Sequence, residues 1–156
     1  MYIKCGGKID KVAGNSIQLI DKNDVIVHRF TKAWARGDIA ETMRYIAQDC
    51  AYALHISNEA LPFAGETVGR TNIEATLHHI RQKFDYLLYR PFNMHEGDDQ
   101  VRLQVEFMYR HRASDEMLTG HFRLVLKFRE GMIVRGDEYH DRARIEAFMR
   151  LIASEA

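Results

Sequence analysis

The order of elements read along this 156-residue chain predicts an α+β fold, an antiparallel sheet covered by helices on one side. Two observations carry that prediction. The runs Gln100 to Arg112 and Met117 to Arg129 alternate apolar and polar residues, the period of a half-buried strand. Elsewhere apolar residues recur at three- and four-residue spacing, the period of an amphipathic helix, and these segments stand beside the strands rather than alternating with them.

Taken in order, residues 1–22 read as an irregular N-terminal extension or hairpin, with turn signals at Gly6-Gly7 and Gly14-Asn15. A single domain follows over residues 23–156. Its first helix starts after Asn23-Asp24, either of which can cap it. Ile26, Phe30, Ala33 and Trp34 share one face, and Gly37 is the stop. Asp38 caps a second helix with the stripe Ile39, Met43 and Ile46. Ala51 to Ile56 is a strand with Tyr52 and Leu54 on one face, and a loop carrying Pro62, Gly65 and Gly69 comes next. Thr71-Asn72-Ile73-Glu74 has the form of a capping box, opening a third helix with the stripe Ile73, Leu77, Ile80 and Phe84.

Three strands then run in series. Val101, Leu103, Val105, Phe107 and Tyr109 share one face of the first, and Phe122, Leu124, Leu126 and Phe128 share one face of the second. Ala113 to Glu116 joins them. Glu130-Gly131 turns the chain into the last strand, Met132 to His140. Asp141 caps a terminal helix with Ile145, Phe148, Met149 and Ile152 on its buried face.

Composition narrows the function. Lys+Arg and Asp+Glu both number 22, so the net charge is zero and the basic excess of a nucleic-acid binder is missing. No apolar run approaches the roughly 20 residues that span a bilayer. Met1 to Asp10 lacks a signal-peptide pattern, so a cytoplasmic location is expected. Cys5 and Cys50 form no metal or redox spacing and read as buried structural thiols. Phosphate-loop, dinucleotide, nucleophile-elbow and zincin patterns do not occur, so neither a cofactor nor a metal is expected.

Three stretches carry a resemblance: FTKAWARGD at Phe30 to Asp38, QDCAY at Gln48 to Tyr52, and GMIVRGDEYHD at Gly131 to Asp141. In this order, with the Gly65 loop and the helix from Gly69-Arg70 between them, the chain resembles the nuclear transport factor 2-like superfamily. More narrowly, it resembles the SnoaL-like and ketosteroid-isomerase-like branches, from about Asp24 to about Ile152. The resemblance implies a cone-shaped curved sheet wrapped around three to four helices, an apolar internal pocket for a small molecule, and a homodimer. It implies no single chemistry, because sites are grafted on folds.

The family's catalytic sets fit this chain poorly. The oxyanion donor, acid and base of the steroid isomerases fall at Phe30, Leu124 and Leu54, whose side chains neither donate nor accept a proton. The acid–arginine–acid set of limonene-epoxide hydrolases meets Glu138, but its other members fall at Arg110 and Arg112, the second of the wrong sign. The histidine and aspartate of SnoaL-like cyclases find no position-by-position match.

Strand alternation puts Val134, Gly136, Glu138 and His140 on one face, which the resemblance turns inward. The catalytic candidates are therefore Glu138, His111 and His140, each able to act as acid or base. The expected ligand-binding residues are Tyr52, Leu54, Phe30, Trp34, Phe107, Tyr109 and Leu124. A structural ion pair between Glu138 and Arg110 stays open, as does a rim position for the histidines. His78-His79 lies off the buried stripe and reads as solvated. Glu138, His140 and His111 lack a recognised metal spacing. The opposite sheet face, with Arg102, Gln104, Glu106, Met108, Arg110, His121, Arg123 and Lys127, suits self-pairing about a two-fold axis. Two functions remain open. One is an isomerase, cyclase or hydrolase using a pocket carboxylate on an apolar ring or polyketide-like compound; the other is a non-catalytic ligand-binding or dimerising module.

Overall fold

The computed structural model describes residues 21–57, 61 and 63–154. The N-terminal extension lies outside these residues except for Asp21 and Lys22, as do Cys5 and Pro62. Helix α1 (Asn23–Ala35) buries the expected stripe Ile26, Phe30, Ala33 and Trp34, and Val27 and Thr31 beside it. Asn23 and Asp24 do not cap it. The cap is Lys22, which makes no side-chain cap bond, and Asp24 instead accepts from the Val25 amide at 2.8 Å. Gly37 turns the chain at φ +79°, and Asp38 caps α2 (Ile39–Met43) by accepting from the Glu41 amide at 3.0 Å. Ile46 is not helical; it begins β1 (Ile46–Leu54).

The expected loop holds a further strand, the short edge strand β2 (Gly65–Val68), paired antiparallel to β1. Helix α3 (Arg70–Lys83) then starts two residues too early for a capping box. Gly69 is the cap, at φ +92°, so Thr71 and Glu74 both lie within the helix. The tight turn at Gly69 leaves Thr71 no position outside the first turn.

Phe84 is not the end of the α3 stripe. It opens β3 (Phe84–Glu96), a strand missing from the sequence expectation, which follows α3 without a loop. The register explains the omission. Tyr86 pairs with Tyr109 and Tyr89 with Phe107, and a shift between Tyr86 and Leu88 leaves Leu87 outside the ladder and 54% exposed. An inserted residue of this kind is a bulge, and it erases the period of two by which strands are recognised. Pro91 also argues against a central strand, but β3 is the sheet edge, where a missing amide is tolerated.

Strands β4 (Gln100–His111), β5 (Met117–Arg129) and β6 (Met132–Tyr139) pair antiparallel as expected, and α4 (Arg142–Ser154) closes the chain. Glu130 and Gly131, at φ +51° and +75°, form the two-residue turn that matches strand twist. Asp141 caps α4 through the Arg144 amide. The sheet order is β2-β1-β6-β5-β4-β3, with one parallel pair, β1 beside β6. Six strands form one curved, unclosed sheet of the α+β class, and bulges in β1, β3 and β6 bend it. The core joins the inner face of β4, β5 and β6 to α1, α3 and α4.

The outer face of β6 carries a charged cluster. Arg135 grips Asp137 with both Nε (3.0 Å) and Nη2 (2.9 Å), and His55 Nε2 lies 2.9 Å from Asp137 Oδ1. His55 stacks on Tyr139 at 4.4 Å. Burial alone would raise the Asp137 carboxyl, but the hydrogen bonds from Arg135 and His55 outweigh it and hold the group below its ordinary value. A depressed carboxyl stabilises the fold fully above its unfolded value, about 4, and that contribution is lost as pH falls through the folded value. Asp137→Asn is therefore expected to lower stability at pH 7, with the gap to the native chain closing below about pH 4. Urea denaturation from pH 3 to 7 measures it, and a gap that does not depend on pH would assign the loss to packing instead.

Candidate functional site

Glu138 sits on a central strand, with Leu54 opposite it on β1 and Leu124 opposite it on β5. Its side chain is only 13% exposed, and both carboxylate oxygens have partners. Tyr52 donates its hydroxyl to Oε2 at 2.5 Å, and His140 Nε2 lies 2.9 Å from Oε1. His140 is more buried still, stacks on Phe122 at 4.4 Å, and has no partner for Nδ1. That assigns the tautomer: with Nε2–H donating to Glu138, Nδ1 carries only a lone pair, which is less costly to bury unpartnered than an N–H. The open alternative of a Glu138–Arg110 ion pair does not occur. Arg110 and Arg112 both bond Asp85, at 2.5 and 2.7 Å.

Gly136 makes the Tyr52 contact possible. The two residues are register partners in the parallel β1–β6 pair, and the tyrosine ring lies across the glycine. A Cβ on Gly136 would stand 2.3 Å from Tyr52 Cε2. Without that Cβ the ring passes over β6 and sets its hydroxyl on Glu138, two residues farther along.

Two adjoining cavities, each with about 60 Å³ of free space, share Leu54, Ile80, Tyr86, Tyr109 and Glu138. The first extends between α1, α3 and the sheet along Phe30, Trp34, Tyr52, Leu77 and Tyr89. The second extends toward α4 along Phe63, Phe84, Leu118 and Phe148. Glu138 is the carboxylate at their junction. Burial pushes the phenols of Tyr52, Tyr86, Tyr89 and Tyr109 above their ordinary range, with the Glu138 charge adding to the effect. All four therefore remain hydrogen-bond donors at neutral pH. The site combines a carboxylate able to take a proton with a wall of phenols able to donate to an oxygen that gains charge.

Most of the residues expected from the sequence meet here. Glu138, Tyr52, Leu54, Phe30, Trp34 and Tyr109 line the first cavity, and His140 stands behind Glu138. Three others line neither cavity. His111 is the last residue of β4, paired with Phe84 of β3 and bonded to Ser114 Oγ at 2.8 Å in the turn that follows. Phe107 and Leu124 are packed into the core, 3% and 0% exposed, where rings from β5 and side chains from neighbouring strands cover them. His78 and His79 are exposed, as their helical positions required. Tyr86 and Tyr89 line the first cavity and were missed by sequence reasoning. Both lie on the unrecognised strand β3, three apart across its bulge.

Among the described residues, no three of His, Cys, Asp and Glu come together as a metal site would need. Burial pushes the Cys50 thiol up to about 11, which leaves it an unreactive core group. No helix among the described residues is long and apolar enough to cross a membrane.

Comparison with known proteins agrees with this architecture. The model of the SnoaL-like domain matches residues 27–136. No match is found among curated proteins. An NTF2-like protein of unknown function from Burkholderia pseudomallei superposes with a TM-score of 0.73 at 18% identity, covering 83% of this chain and 96% of that one. TerC, crystallised with polyporic acid, superposes with a TM-score of 0.71 at 15% identity, covering 82% and 98%. A protein of ketosteroid isomerase-like fold from Catenulispora acidiphila, in complex with trimethylamine, gives 0.66 at 14% identity, covering 77% and 88%. At these identities the likeness shows the fold alone.

Proposed function

The chain belongs to the SnoaL-like domain family, and from that premise we propose that it is an acid–base enzyme acting on a small, ring-bearing, largely apolar molecule, with Glu138 as the proton-transferring group. The observation that carries this reading is the Tyr52–Glu138–His140 arrangement at the junction of two apolar cavities. A carboxylate with three or four strong partners is usually structural; this one has two and keeps an open side toward the cavities.

The reaction class that fits is proton abstraction beside a carbonyl. Glu138 takes the proton from carbon, and the electron pair moves onto the carbonyl oxygen, where a phenol of Tyr86 or Tyr109 donates to it. The carbanion equivalent then recaptures the proton elsewhere, which is isomerisation, or attacks a second carbonyl of the same molecule, which is ring closure. Tyr52 and His140 hold the carboxylate in place. The positions at which the steroid isomerases carry their own donor, base and acid play no part in this reading, because Phe30, Leu54 and Leu124 hold them. Two structural neighbours crystallised with small organic molecules support a small-molecule site of this kind.

Ring compounds that bind only the folded chain raise its melting temperature. The test is a thermal-shift screen of ring ketones, followed by deuterium exchange of their carbon-bound protons. Exchange by the native chain that is lost in Glu138→Gln supports catalysis. Binding without exchange leaves a non-catalytic carrier.

The same family suggests a homodimer, and we place its interface on the outer sheet face. A groove there runs along His95, Arg102, Gln104, Arg123, Val125 and Tyr139. Glu106 and Arg110 already have partners within the chain, Arg90 and Asp85, so the groove residues rather than those charges would make the isologous contact. Sedimentation at micromolar concentration is expected to give a dimer that Val125→Glu dissociates. A native monomer refutes it, and a dimer that survives the substitution moves the interface elsewhere.

A further inference from the structure

The two cavities that meet at Glu138 differ in chemistry. The first has polar walls of its own: Tyr52, Tyr89 and Thr67 line it and not the second. Everything polar in the second, namely Tyr86, Tyr109 and Glu138, is shared with the first. Away from that shared boundary every wall residue of the second cavity is apolar. Leu118 of β5 and Ile145, Phe148 and Met149 of α4 are among them.

A void of about 60 Å³ walled by carbon is uncommon in an interior packed as densely as an organic crystal. Its walls offer water no hydrogen bonds, and their atoms lack contacts on one side. An apolar group seated there restores those contacts. A polar group would leave its hydrogen bonds to water behind and find none in exchange. The orientation of the wall rings narrows the choice further. Phe84 meets Phe63 at 81° and Phe148 at 40°. Rings tilted in this way leave no parallel slot for a second flat ring, whereas a flexible chain fills such a space.

We propose that the second cavity is a tail compartment, receiving a short saturated chain carried by the substrate ring. The proposal rests on the reading of Glu138 as the proton-transferring group and names the substrate class, a ring ketone alkylated on the carbon beside its carbonyl. The ring lies in the first cavity and the chain lies under α4. The carbon that joins them stands at Glu138, the carboxylate that both cavities touch. The division also sets the orientation. In the reversed pose the carbonyl oxygen would lie under α4, away from Tyr86 and Tyr109, where the walls hold no donor.

The test titrates cyclohexanone and its 2-alkyl derivatives, methyl to hexyl, calorimetrically into the native chain at pH 7. Each of the first few methylenes is expected to tighten binding about fourfold, the worth of burying one CH₂, and the gain to stop once the compartment is full. Met149→Trp narrows the compartment from a half-buried position on α4. It is expected to bring the butyl-to-methyl affinity ratio from about 60-fold down to a few-fold. In the unsubstituted chain, nuclear Overhauser contacts from the terminal methyl of the butyl group are expected at Leu118 and Ile145. They are expected to be missing at Ile73 and Leu77, which line only the first cavity. This second readout needs no variant to fold. No gain with chain length, a ratio unchanged by Met149→Trp, or butyl contacts at Ile73 and Leu77 overturns the tail compartment and leaves the cavity reading intact. If neither the parent ketone nor its derivatives bind at solubility, the cavity reading falls and the compartment with it.

Discussion

Glu138→Gln is expected to lower turnover by about 10²–10⁴-fold, the usual contribution of general acid–base catalysis, while leaving ligand affinity and fold in place. The substitution keeps the size and shape of the side chain. Tyr52 can still donate to the amide oxygen, so the contact across the β1–β6 pair survives. The capacity to take a proton is lost, and the amide NH₂ now faces His140 Nε2, which must offer its lone pair there instead of its N–H. The companion substitution Tyr52→Phe removes the hydroxyl and keeps the ring over Gly136. It is expected to reduce turnover by a smaller factor, because the carboxylate loses a guide and not its chemistry. Single-turnover rates on a ring ketone that binds, with urea denaturation as the control for folding, separate the two. Full activity of Glu138→Gln would remove Glu138 from the mechanism and leave His140 as the titratable group nearest the cavities.

What the sequence made legible, and what it hid, follows from local periodicity. Glu138 and Gly136 stand out because the second half of β6, beyond the extra residue at Val134, pairs in register with Tyr52 and Leu54 of β1 and with Leu124 and Leu126 of β5. Phe30 and Trp34 stand out because α1 keeps a single apolar stripe. The tyrosine wall was hidden because the Leu87 bulge turns a separation of three into a shared face, and no periodic rule finds that. Alternation places Phe107 and Leu124 on the inner face but does not say which part of that face stays open. Packing of α4 and of the β5 rings fills the middle of the sheet and leaves space only beside β1, β3 and the helices. His111 is the last residue of β4, and alternation does not say that its side chain turns to Ser114 of the following turn rather than to Glu138.

Gly136→Ala is expected to destabilise the chain by about 1–3 kcal/mol, the range for forcing an extra carbon into a packed site, and to reduce turnover as well. The backbone at Gly136 is not in the left-handed region, so the loss comes from space alone. The added Cβ would stand 2.3 and 2.4 Å from two carbons of the Tyr52 ring, distances at which something must move. The β1 and β6 backbones are fixed by their ladder, so the ring moves, and its hydroxyl leaves Glu138. A double-mutant cycle isolates this cause. In a Tyr52→Ala background the ring is gone, and Gly136→Ala should then be close to neutral in urea denaturation. A penalty of the same size in both backgrounds would place the strain elsewhere on β6 and dissolve the link between the missing Cβ at Gly136 and the orientation of the carboxylate.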